Sequence, residues 1–355
     1  MMIHIRASWL AAVVVTLALP RVARACLWDH DTLREERSQF PETLELITGK
    51  FLHHSPEFYR WRIEDRRRRL AAAPQDLALL DDLAVAYDKI GQTKRAIELM
   101  EEAARRAPQR YETLANLGTF YLHDHKLERG LAKIKAALEV NPDAHFGRER
   151  AQQLLVEYLL AGGAGTFAAF LEERAAGQRE VARAWEEALR GVQGMMRFGD
   201  HRHPKLLAAL GDLLVATHHP GDPKQLAARA YLRAADLAPA GDRAAYLARA
   251  KEALELQTGV TLEEVREELA SEVAEAERWV AQVRARELEW IRAGVDVDAA
   301  FDASYPAEPA VDAALNRRRE LLQLARKALP GALALSGAGL LWRRRRRRKA
   351  SAPRV

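Results

Sequence analysis

The residues of this chain best suited to hold a metal or move a proton are its histidines, which come in doublets: His123 and His125, His201 and His203, and His218-His219. Two metal ligands on one helix usually stand four residues apart, on one face, with a third ligand and hydrogen-bonded support behind them. None of the doublets has that spacing or that third partner, so all three read as solvated loop histidines. The chain has no P-loop, no dinucleotide fingerprint and no Gly-x-Ser-x-Gly. Its many Glu and Asp recur as i to i+4 partners of Lys and Arg, the pattern of a soluble helix surface. No catalytic, cofactor-binding or metal-binding residue is assigned, and the expectation is a protein that is not an enzyme.

The elements that must position any other site are helical. Charged residues make up 30% of the 355 and aromatics 7%, with long Ala/Leu/Glu/Arg stretches, and these side chains lose little rotamer freedom in a helix. The basic pI of about 9.3 invites a nucleic-acid reading that the charge map opposes. Residues 1–25 hold Arg6, Arg21 and Arg24 without an acid, and residues 343–355 hold eight basic residues, again without one. That leaves a formal charge of −6 on residues 26–342. A duplex-binding face needs a basic stripe on the folded domain. The one candidate, Arg66 to Arg69 beside Glu64 and Asp65, reads as a solvated helix face, so no nucleic acid is expected.

The two ends carry the address. Arg6, the 13-residue apolar run Ala7 to Leu19, Pro20 and the small-x-small triplet Ala23-Arg24-Ala25 read as a signal peptide over residues 1–25. Cleavage after Ala25 makes Cys26 the first mature residue and so the candidate for lipidation. Ala23 and Arg24 depart from a lipobox, which favours ordinary cleavage. As the only cysteine, Cys26 forms no intrachain disulfide. Near the other end, Ala328 to Trp342 is a 15-residue uncharged stretch followed by Arg343 to Arg348 and Lys349. As a helix it would be about 22 Å long, short of the roughly 30 Å hydrocarbon core. Snorkelling of Arg326 and Lys327, the interfacial Trp342 and local thinning make up part of the shortfall. The arginines put this end inside and the rest of the chain outside. The segment, within 312–342, reads as a membrane anchor or a sorting signal. The protein is expected on the periplasmic side of a bacterial cytoplasmic membrane.

A period of 34 runs through residues 77–144. Leu80, Leu83, Ala84, Tyr87, Ala96, Met100, Ala103 and Pro108 recur as Leu114, Leu117, Gly118, Tyr121, Gly130, Ile134, Ala137 and Pro142. Large residues at positions 4, 7, 11 and 24 fill the space between two helices. Small ones at 8, 20 and 27 let the backbones approach, and proline at 32 ends the second helix. In these residues the chain resembles the tetratricopeptide-repeat family, with units at 77–110 and 111–144. A looser unit at about 204–239 has Leu207, Leu210, Gly211, Ala227, Tyr231, Ala234 and Pro239 in place. Helices at 56–73 and 145–160 read as caps completing an N-terminal domain, 26–161. Gly162 to Gly165 reads as a hinge to a second helical subdomain, 166–255. A weaker resemblance, to secreted bacterial tetratricopeptide proteins of unassigned function, rests on Cys26-Leu-Trp-Asp-His-Asp-Thr-Leu33, Ser55-Pro-Glu-Phe-Tyr59, Arg62 and Asn141-Pro-Asp-Ala-His-Phe-Gly147. It implies architecture and no activity. The expected fold is an all-α solenoid of helix hairpins with additional helices.

The family resemblance implies a concave groove lined by positions 2, 5, 9 and 12 of each first helix. The partner-binding candidates are Asp81, Val85 and Asp88 in the first unit and Glu112, Ala115, Thr119 and Leu122 in the second. Chaperone-binding members hold a peptide carboxylate with Lys and Asn at positions 5 and 9. Asp81 and Val85 stand there instead, so that clamp is missing. An acidic groove with apolar patches suits a basic or amphipathic segment of a protein partner. Thr261-Leu-Glu-Glu264 reads as a capping box opening a helix over 261–293. Its stripe of Leu262, Val265, Leu269, Val273, Ala276, Val280, Val283 and Ile291 packs on the repeats or forms a homo-oligomer seam. Residues 295–311 read as a loop. The leading expectation is a tethered interaction scaffold, and the alternative is a self-associating structural protein of the envelope.

Overall fold

The computed structural model describes residues 42–142, 148–217, 224–255 and 260–305, and among them the chain is all-helical with no strand. The signal peptide, Cys26, His218-His219, most of the Asn141–Gly147 motif, the apolar segment and the basic tail lie outside the described residues. No described helix is long and apolar enough to cross a membrane.

Fourteen helices are described. They are α1 (Thr43–Thr48), α2 (Pro56–Ala72), α3 (Leu77–Lys89), α4 (Thr93–Arg106), α5 (Tyr111–His123), α6 (Leu127–Val140), α7 (Arg148–Leu160) and α8 (Phe167–Glu172). Then come α9 (Gln178–Met195), α10 (Pro204–Ala216), α11 (Lys224–Leu237), α12 (Ala240–Leu254), α13 (Leu262–Ala293) and α14 (Val297–Ser304). Their contacts define two compact units. Described residues 42–50 and 93–277 make the first, and 51–92 and 278–305 the second.

In the first unit most helices pack on their neighbours in sequence, from α4 on α5 through to α11 on α12, and in addition α7 packs on α9 and α1 on α11. The α5–α6 hairpin closes tightly because two glycines face each other's helix. A Cβ on Gly118 would stand 2.7 Å from Ile134 Cδ1, and one on Gly130 would strike the Leu122 side chain. The α10–α11 hairpin repeats the first relation, with a Cβ on Gly211 standing 2.7 Å from the Tyr231 ring. Apart from the prolines, every residue picked out by the 34-residue pattern is buried, in all three units.

The capping box forms as the sequence suggests. Thr261 Oγ1 accepts from Glu264 N at 3.2 Å, and Glu264 Oε2 accepts from Thr261 N at 2.8 Å. Val265, Leu269, Ala276 and Val283 of the α13 stripe are buried within the single chain, so these four positions do not offer an open seam. In the first unit α13 is held by Arg229 of α11, whose wholly buried guanidinium reaches Glu268 at 2.5 Å and Glu272 at 3.0 Å.

The second unit contains α2, α3, the second half of α13 and α14. Ser55 Oγ caps α2 by accepting from Phe58 N, with Pro56 in the first turn. Two expectations are corrected here. Residues 295–311 do not begin as a plain loop, because Asp296 accepts from Ala299 N at 3.2 Å and starts α14. Arg66 is not solvated: it is buried against Asp65 (2.6 Å), Asp82 (2.9 Å) and Asp298 (2.6 Å). Arg67, Arg68 and Arg69 are exposed, as the sequence suggests.

Candidate interaction surface

In the second unit, Asp76 starts α3 by accepting from Ala78 N and Leu79 N. With Leu80, Leu83, Ala84 and Tyr87 buried, the helix keeps Asp81, Val85 and Asp88 half-buried. Their i, i+4, i+7 spacing places them on one side. An acid–apolar–acid row of this kind can meet a basic or amphipathic helix.

In the first unit the corresponding row of α5 is largely engaged by its own surroundings. Glu112 is exposed and pairs with Arg110 at 3.4 Å. Ala115 is buried with Leu114 and Ala137. Thr119 Oγ1 donates to Ala115 O at 3.0 Å and accepts from Gln152 Nε2 of α7 at 3.2 Å. Leu122 is half-buried against Gly130.

The third hairpin holds a residue that sequence reasoning missed. Asp212, 3% exposed, occupies position 9 of that unit. It accepts from Phe167 N (2.7 Å), Tyr231 Oη (2.8 Å) and Arg249 Nη1 (3.0 Å). Burial raises the Asp212 carboxyl, and Arg249 with the other donors opposes that rise. The signal in sequence was an acid directly after the small residue Gly211, in a helix whose other charged residue is Lys205. That pattern does not separate a buried acid from a solvated one.

The imidazole pKa of His203 is lowered by desolvation, with His123, Lys205 and His125 adding to the shift and Asp200 opposing it. Among the described residues no group of three or more His, Cys, Asp or Glu is arranged to hold a metal ion.

The second unit also carries a cleft of about 510 Å³ lined by residues that include Trp61, Asp65, Arg68, Ile291 and Asp296. Beside it His54 stacks on Phe58 with ring centroids 3.6 Å apart, and its Nδ1 lies 2.7 Å from the fully buried Glu287 carboxylate. Glu287 also accepts from Ser55 N at 2.9 Å. Burial pushes the neighbouring Tyr59 phenol up to about 12. Burial would raise the Asp298 carboxyl, but the Arg62 and Arg66 guanidiniums outweigh it and hold the group below the usual carboxylate range. These contacts tie α2, α13 and α14 together within the unit.

The chain matches no protein-family model, and a comparison with curated proteins finds no match either.

Proposed function

We propose that this chain is a non-catalytic interaction scaffold of tetratricopeptide type. In this reading it is exported and held at the outer side of the cytoplasmic membrane by its C-terminal segment. Its hairpins present an acidic, partly apolar face to a peptide or an envelope protein. The observation that carries the reading is packing at matched repeat positions, where the small eighth residue meets the large twenty-fourth: Gly118 on Ile134, and Gly211 on Tyr231. Close approach at these positions is what lets hairpins of this family stack into a binding surface.

The row Asp81, Val85 and Asp88 supplies two acids and an apolar residue on one half-buried side of a capped helix. Its chemistry favours a basic or amphipathic helix, laid in by its apolar face with cationic residues toward the acids. Self-association through α13 has less support, since Val265, Leu269, Ala276 and Val283, four of the eight residues of its stripe, are covered within one chain.

The test is cross-linking in native membranes, with the full chain and with Asp81→Lys/Asp88→Lys compared side by side. Loss of a cross-linked partner from the charge-reversed chain supports the reading. An unchanged set of partners removes the groove assignment.

A further inference from the structure

We draw no further inference here: the strongest candidate, the cleft of about 510 Å³ in the second unit lined by Trp61 of α2 and by the turn from α13 to α14, carries none, because its charged lining residues Glu64, Asp65, Arg68 and Asp296 already pair with one another or with neighbouring arginines and nothing in the structure shows what occupies it.

Discussion

Gly118 lies so close to Ile134 that a Cβ on the glycine would stand 2.7 Å from the isoleucine Cδ1 and 3.1 Å from its backbone N. The side chain has some room to turn and the backbone has little. Gly118→Ala should therefore destabilise the chain by about 1–3 kcal/mol through overpacking, despite alanine's intrinsic helix advantage of about 1 kcal/mol over glycine. Urea unfolding measures this, and Ile134→Val in the same chain should recover part of the loss. A neutral or stabilising Gly118→Ala would mean that the two helices do not pack at this distance.

Arg229 is wholly buried and answered by Glu268 and Glu272. Burial alone would lower its pKa, but the two glutamates outweigh that, so the guanidinium stays charged. Arg229→Met removes the cation and leaves two carboxylates facing each other across one turn of α13. The expected loss is about 3 kcal/mol. Adding Glu268→Gln and Glu272→Gln to Arg229→Met should return part of it. A loss within experimental error would show that the triad contributes no stability.

His53 predicts a pH dependence. Burial lowers its pKa below 6.5, although the bond from Nδ1 to Phe51 O at 2.8 Å and the Glu287 charge oppose the shift. The folded chain therefore binds fewer protons here than the unfolded chain just below pH 6.5. Stability is full above that pH and falls as the solution is acidified. Urea midpoints should drop on going from pH 7 to about pH 5, and His53→Phe should flatten that slope. A slope unchanged by His53→Phe contradicts the assignment.

Asp298 governs a more acidic window. Its carboxyl is held low by Arg62 and Arg66, so its contribution is present above the ordinary carboxylate range and is lost as pH falls through it. Asp298→Asn should cost stability at pH 7 and little at pH 3, with near-ultraviolet circular dichroism of the surrounding aromatic residues reporting the loosening of α14. An equal cost at both values would place the contribution in packing and not in charge.

The hairpins were legible because their contacts lie within one 34-residue period, and size alone marks the places where backbones meet. The caps at Ser55, Asp76 and Thr261 were local in the same sense. What stayed hidden depends on distant partners. Arg229 reads as a surface cation until α13, 39 and 43 residues further on, supplies its acids. Arg66 looks solvated beside its own helix neighbours, and Asp298 stands 232 residues away. α8 and α14 span too few turns for a period to show. Of the candidate surface, Asp81, Val85 and Asp88 of α3 are half-buried. Ala115, Thr119 and Leu122 of α5 turned out to be engaged by Ala137, Gln152 and Gly130, which spacing alone does not reveal.

The most direct measurement is a fluorescence-anisotropy titration of a labelled amphipathic Lys/Leu helix against three full-length proteins: the parent, Asp81→Lys/Asp88→Lys, and Glu263→Lys/Glu267→Lys as a matched reversal on the exposed side of α13. An interaction surface on α3 predicts binding to the parent and to the α13 control, weakened by about tenfold in the α3 variant alone through lost charge complementarity. Equal weakening by both reversals, or no binding to the parent, would contradict it.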